Sequence, residues 1–171
     1  DFPPGTSDEP LTVAQSLPDI DGMVIVTTPQ DVALLDSRKS ITFSESLKVP
    51  VLGVVENMSG YTISGTTNPE VNLEIAGPGG KKHKIASDKD GKFSVTLDIF
   101  KQGGGKSTAH EFGVPFLGEL PFDPGFVRGG DDGVHRIVSE PDGASAIAFA
   151  KVVEAIKSQI GTSQSQGLEI I

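Results

Sequence analysis

The chain has 171 residues and a formal net charge of −9, from 23 acidic against 14 basic side chains, with no cysteine. That length supports one substantial core and a small second module; the acidic balance argues against a general nucleic-acid binder, which needs clustered Lys and Arg to neutralise phosphates. No apolar run approaches the ~18 residues needed to span a membrane, and without Cys there is neither a disulfide framework nor a thiolate metal site. With 21 Gly and 12 Pro the chain carries many loops, and it opens on Asp1 without a signal-peptide pattern, as expected of a fragment or a processed product.

The first stretch, Asp1 to Gln15, places an acid before Pro3-Pro4-Gly5-Thr6 and a second acid, Asp8, after it. In nucleotide-hydrolysing α/β proteins a carboxylate at the carboxyl end of a buried strand holds Mg²⁺, often through water, and the Gly-containing loop after it senses the γ-phosphate. A Pro-rich turn with surface acids is the bland alternative. Asp8 or Ser7 caps a short predicted helix through Glu9 to Gln15. Pro18 to Gly22 is a turn cluster, and the β-branched run Met23 to Thr28 reads as a strand buried on both faces. Thr28 then caps a helix with Pro29 at its first position, and Val32, Leu35, Ile41 and Leu47 mark its apolar side. Val51 to Val55 is a second buried strand, completing a βαβ unit. Asn57 follows at the strand's carboxyl end, where ligands of α/β sheets bind; its amide offers a donor and an acceptor to a base edge, or else caps a turn.

From Tyr61 to Leu97 the pattern changes. Val71, Leu73 and Ile75 alternate with polar residues, Gly77 to Gly80 turns the chain, Lys82 to Ala86 continues it, and Asp88 to Gly91 turns it again before Phe93, Val95, Leu97 and Ile99 alternate strictly. Period two with Gly turns predicts antiparallel strands with one buried face. Such a small module is marginal alone and is expected to dock. The segment has some likeness to a bacterial immunoglobulin-like repeat. Asp88 to Gly91 begins like a calcium loop, but Ile99 stands where its last Glu belongs, so a hairpin turn is the reading. His83 among Lys81, Lys82 and Lys84 reads as a solvated basic strand.

Lys101 to Thr108, K-Q-G-G-G-K-S-T, follows a predicted strand from Phe93 to Phe100 and invites reading as a phosphate loop. Gly105 and its neighbours would turn backbone N–H groups to phosphate, Lys101 and Lys106 would add charge, and Ser107 would ligate Mg²⁺. Phe100 stands where a strict loop has Gly, and Gly113-Val114-Pro115 stops the following helix early. Phe116 to Leu120 is a further strand, ending in the turn Pro121-Phe122-Asp123-Pro124. Gly125 to Arg128 is one helical turn, and Arg128 to Gly133 is a turn. A final helix begins near Pro141 to Gly143, carries Ile147, Phe149, Val152, Val153, Ile156 and Ile160 on its apolar side, and ends at Gly161.

Four ordered segments together resemble Mrp/ApbC-type P-loop ATPases, a MinD-like group whose members carry and deliver iron–sulfur clusters: D-F-P-P-G-T-S-D-E-P-L-T, V-I-V-T-T-P-Q from Val24, V-V-E-N-M-S-G from Val54, and G-V-P-F-L-G-E-L-P-F-D-P from Gly113. The resemblance covers Asp1 to about Ser59 and about Asp98 to Ile160. It implies a P-loop NTPase-like α/β fold, incomplete here: a mostly parallel sheet flanked by helices, with a small antiparallel β insertion. Residues 1–60 and 98–161 would form the discontinuous α/β domain, 61–97 the insert and 162–171 a flexible tail. ATP and Mg²⁺ are the implied cofactors. Asp1 would organise Mg²⁺ through water, and Gly5, Thr6 and Asp8 would belong to the switch loop. Asn57 would contact adenine, and Pro121 and Asp123 would pack along it through backbone groups. A cytoplasmic location, a homodimer and a protein partner at the insert are expected, with no nucleic acid and no membrane.

The chain departs from that family pattern twice. The C-x-x-C segment that binds a bridging cluster is replaced by Tyr61 to Leu97, so no cluster is held by this chain's own Cys. The family's phosphate loop lies upstream of the Asp1 motif; Lys101 to Thr108 matches instead the family's Gly-rich segment after the cysteines. The resemblance therefore implies an ATP-binding cluster carrier whose isolated chain is not expected to hydrolyse ATP, since no lysine and backbone cradle stabilise the transferred phosphoryl group. The alternative is a non-enzymatic interaction module, in which a degenerate α/β scaffold presents exposed apolar strand residues of the insert.

Overall fold

The computed structural model describes residues 8–17 and 20–166. Elements follow in chain order: helix α1 (Asp8–Ser16), strand β1 (Met23–Thr27), helix α2 (Asp31–Leu47), strands β2 (Val51–Glu56), β3 (Tyr61–Thr66), β4 (Asn72–Ala76), β5 (Lys82–Ala86) and β6 (Lys92–Leu97), helix α3 (Gly104–Phe112), strand β7 (Phe116–Glu119), and helices α4 (Pro124–Asp132), α5 (Arg136–Ser139) and α6 (Ala144–Gln166). A short 3₁₀ turn, Pro78–Gly80, joins β4 to β5.

The β-branched runs pair as parallel strands in the order β1-β2-β7. Side chains alternate across that sheet, so β2 feeds two cores. Val54 joins Met23, Ile25, Ile41 and Ala109 beneath α2 and α3, while Val55 joins Leu117 and Val152 beneath α6. Between β2 and α3 the chain makes two antiparallel pairs, β3 with β6 and β4 with β5, as period two predicted. Their inward side chains are half-buried, except Ile85 and Leu97, which are buried. The charged neighbours face out, with Lys82 Nζ 2.6 Å from Glu74 and Lys81 Nζ 3.6 Å from Asp98; His83 is half-buried between them.

Several local expectations need correction. Helix α2 begins at Asp31 with Gln30 as cap, not at Pro29. Pro29 is fully buried, and its carbonyl lies 2.9 Å from where a Cβ on Gly104 would stand, so the start of α3 presses on it. The buried side of α2 is Leu34, Ser37, Ile41 and Ser44, whereas Val32 is 76% and Leu35 55% exposed. The two serines go inward because their hydroxyls are satisfied locally, Ser37 Oγ donating to the Ala33 carbonyl at 2.9 Å and Ser44 Oγ to the Val49 carbonyl at 2.6 Å. β1 is not buried on both faces: it lies at the edge of the described sheet and Val26 is 61% exposed. β6 stops at Leu97 rather than Phe100. α4 is a full helix to Asp132, so the expected turn at Arg128 is its last part, and Gly133 ends it at φ 68°. α6 runs through Gly161 to Gln166, and its Ile147 and Phe149 are exposed. An isolated Gly weakens a helix by about 1 kcal/mol but does not oblige it to end. The Pro18–Asp19 part of the predicted turn and residues 167–171 lie outside the described residues.

Candidate functional site

Three loops meet at the carboxyl ends of the parallel strands, and main-chain hydrogen bonds stitch them together. The Asn57 N–H donates to the Thr27 carbonyl at 2.7 Å, the Leu120 N–H to the Glu56 carbonyl at 2.8 Å, the Ser59 N–H to the Leu120 carbonyl at 2.9 Å, and the Phe122 N–H to the Gly60 carbonyl at 2.8 Å. The segments after β2 and β7, far apart in sequence, thus run side by side. The Tyr61 ring meets Phe122 edge-on, with centroids 5.7 Å apart.

Asn57 is half-buried, and its Oδ1 accepts the Met58 N–H at 2.9 Å. That fixes the carboxamide and leaves its amine donor facing no acceptor among the described residues. Asp123 caps α4 with Oδ1, which accepts the Gly125 N–H at 2.8 Å; its Oδ2 accepts Ser145 Oγ at 2.8 Å and Arg136 Nε at 3.1 Å. Burial pushes this carboxyl up, but Gly125, Ser145 and Arg136 together outweigh that and hold it below the usual carboxylate value. Glu140 pairs with the same guanidinium and, with Asp123, pushes it further up. Asp123 is bonded to three protein donors, which fix it beside Pro121 and Phe122. A cavity of about 210 Å³ opens there, lined by Tyr61, Thr62, Pro121, Phe122, Asp123 and Arg136 among others. Asn57 does not line it; the backbone ladder alone joins the two.

Lys101 to Ser107 has a different surrounding. Gly103 takes the left-handed conformation, at φ 82°, and starts α3. The Gly103 N–H donates to Glu56 Oε1 at 3.0 Å and the Gly105 N–H to Oε2 at 2.7 Å. The N–H groups that a phosphate would need therefore face this protein's own carboxylate, which is fully buried. Lys101 Nζ lies 2.5 Å from Asp31, and Lys106 and Ser107 are exposed on α3. Lys106 borders a groove of about 730 Å³ with Ser59, Glu119 and Lys151, which adjoins the cavity beside Asp123 through Thr62, Pro121 and Ala144. Asp1, Gly5 and Thr6 lie outside the described residues, and Asp8 opens α1.

Sequence reasoning missed Glu56, Ser59, Arg136 and Ser145. Glu56 carried a signal: an acid closing an otherwise apolar strand is rarely buried unless its charge is met. Exposed apolar side chains, expected on the insert by the interaction-module reading, lie instead on α1, β1, α2, the α4–α5 region and α6. Among the described residues no group of three or more His, Asp or Glu is placed to hold a metal ion. No helix among them is long and apolar enough to cross a membrane.

A parallel sheet flanked by helices, with its loops gathered at the strands' carboxyl ends, defines an α/β protein of the open parallel-sheet class. The septum site-determining protein MinD of Pyrococcus horikoshii, solved with Mg-ADP, shares that fold: its TM-score is 0.58 at 19% identity, over 95% of this chain and 51% of that one. The profile of the ParA family, described as NUBPL iron-transfer P-loop NTPase, matches residues 1–95 and 83–157. The chain belongs to this family. It is 37% identical over 160 residues to an iron-sulfur cluster carrier protein of Methanocaldococcus jannaschii, covering 94% of this chain and 45% of the relative. It is 37% identical over 165 residues to the cytosolic Fe-S cluster assembly factor NBP35 of Eremothecium gossypii, covering 94% of this chain and 41% of that protein. The chain thus spans less than half the length of these relatives.

Proposed function

We propose that this chain provides the adenine side of an ATP-binding iron–sulfur cluster carrier or assembly protein. The observation that carries the reading is the ladder joining the Asn57 segment to the Pro121–Asp123 segment at the carboxyl ends of β2 and β7. Asn57, whose amine faces no acceptor among the described residues, would read the base edge. Pro121 and Phe122, set in place by the thrice-bonded Asp123, would offer backbone groups and an apolar wall along the ring. The iron–sulfur cluster is cargo; with no Cys in the chain its ligands must come from elsewhere.

The Gly103 and Gly105 N–H groups are already bonded to Glu56 and so do not offer a cradle to a triphosphate. Mg²⁺ would neutralise phosphate charge, with Asp1 holding it through water and Gly5, Thr6 and Asp8 as switch residues. Binding without turnover is the expectation for this chain alone. A cytoplasmic protein, a homodimer and a protein partner at residues 61–97 complete the proposal; the first is supported by the Eremothecium gossypii relative, a cytosolic assembly factor.

Calorimetry with Mg²⁺–ATP on this chain and its Asn57→Ala variant tests the reading. The parent is expected to bind, and the variant to bind about tenfold more weakly, the worth of one well-placed hydrogen bond. A parent chain that does not bind, or a variant that binds equally well, overturns the assignment of the adenine side.

A further inference from the structure

Glu56 is fully buried, yet among the described residues no lysine or arginine pairs with it. An isolated buried carboxylate costs several kcal/mol, so its charge must be met in some other way. Three donors meet it: Ser59 Oγ at 2.7 Å, the Gly103 N–H at 3.0 Å and the Gly105 N–H at 2.7 Å. Two of these belong to the amino end of α3, where the helix dipole favours an anion. The approach is close: a Cβ on Gly105 would stand 3.0 Å from Glu56 Cβ and 3.3 Å from Oε2. A side chain at Gly105 would press on Glu56 and Thr27, which would have to give by a few tenths of an ångström.

The origin of the donors matters most. Ser59 lies where the chain leaves the parallel sheet for β3, and Gly103 and Gly105 lie where it returns from β6. One carboxylate holds both roots of the antiparallel segment. Glu56 itself is the residue before Asn57, and its carbonyl accepts the Leu120 N–H at 2.8 Å. The first root is also bound to the loop after β7 through Ser59 N–H, Phe122 N–H and the Tyr61–Phe122 ring contact.

We infer that Glu56 is a positioning residue: its carboxylate fixes both roots of the antiparallel segment against the loops that carry Asn57 and Pro121, so that the segment and the candidate adenine pocket move as one body. The part of this statement that concerns nucleotide rests on the function proposed above; the part that concerns the roots does not.

Glu56→Gln preserves shape but offers one acceptor oxygen where the carboxylate offers two, and turns an amine donor toward a glycine N–H. Hydrogen exchange on the chain without nucleotide is expected to speed up by about tenfold or more at Gly103, Gly105 and across β3–β6, with β1–β2 pairing unchanged. Ser59→Ala, which removes one donor, should speed the β3 root less. Uniform acceleration that includes β1–β2 would make Glu56 merely a contributor to overall stability and overturn the inference, as would no acceleration at the roots. If Glu56→Gln does not fold, Ser59→Ala decides: acceleration confined to the roots supports the inference and its absence refutes it. With Mg²⁺–ATP added, the parent should gain protection at both roots, and Glu56→Gln, compared at equal occupancy, should lose that gain; a gain kept in full by the variant overturns the coupling. If the parent binds no ATP, the proposed function fails while the measurement without nucleotide still decides the role of Glu56.

Discussion

The α/β body and the antiparallel segment are held by different means. In the body, parallel strands are covered by α2 and α3 on one face and by α6 on the other, and each face has its own cluster of buried apolar side chains. In the segment, strands pair two by two, the inward residues are mostly half-buried, and none of them belongs to either cluster. The body is therefore stabilised by apolar area removed from water, at roughly 25 cal/mol per Å². The segment leans on cross-strand pairing and on polar attachments at its roots. A region of the first kind fails when a cavity is opened in it; a region of the second kind fails where it is attached.

That contrast can be broken most forcefully from the body. Ile41 is 1% exposed at the centre of the cluster beneath α2, so Ile41→Ala should cost about 2–5 kcal/mol. In a denaturant titration the body and the segment should lose structure together, because the segment has no core of its own. Ile85→Ala, within the segment, should loosen β4–β5 and leave the body's midpoint nearly in place. If the segment outlives the body in the Ile41→Ala protein, the two are independent units and the contrast is wrong.

Asp123 sharpens the comparison at the joint, since it caps α4 and sits beside the Tyr61–Phe122 contact. Asp123→Ala should destabilise the protein by about 1–2 kcal/mol at pH 7, through loss of the cap and of the partner to Arg136. The sign of its pH dependence follows from a folded pKa held below the unfolded value near ~3.9. The charged carboxylate's contribution is complete above that unfolded value and is lost as pH falls through the folded one. The stability gap between parent and variant, followed by thermal unfolding, should narrow only in strong acid; a gap already closing at pH 6 would mean another group is responsible.

The smallest effect lies at the far end of the body. Lys48 ends α2 in the left-handed conformation at φ 57°, donating its N–H to the Glu45 and Ser44 carbonyls. Glycine takes that conformation without steric cost, so Lys48→Gly should raise stability by about 0.5–1 kcal/mol. Exchange at Gly103 and Gly105 should not respond, which distinguishes general stabilisation from tightening of the roots.

What could be read in the sequence was whatever is encoded locally. Short runs rich in β-branched residues at Met23–Thr27 and Val51–Val55 announce strands of a parallel sheet, and alternation from Val71 to Leu97 announces antiparallel pairs, because side-chain period follows from backbone geometry alone. Ordered motifs likewise pointed to the family. Phase and termini were less legible: apolarity chose Val32 and Leu35 for the inner side of α2, while the fold placed Ser37 and Ser44 there, since a hydroxyl bonded to a nearby carbonyl, Ala33 for Ser37 and Val49 for Ser44, can be buried. Gly161 resembled a stop and is crossed by α6.

The Gly-rich run at Lys101 shows where local reading ends. Its residues fit a phosphate cradle, and the sequence by itself determined that their N–H groups would want an anion. Which anion was decided only by the tertiary structure. Parallel pairing of β1, β2 and β7 and the packing of α3 across them bring the Glu56 carboxylate to Gly103 and Gly105, 47 and 49 residues away in the chain. A buried charge takes the nearest donors that satisfy it, and nearness across such a separation is a property of the fold, not of any stretch of sequence.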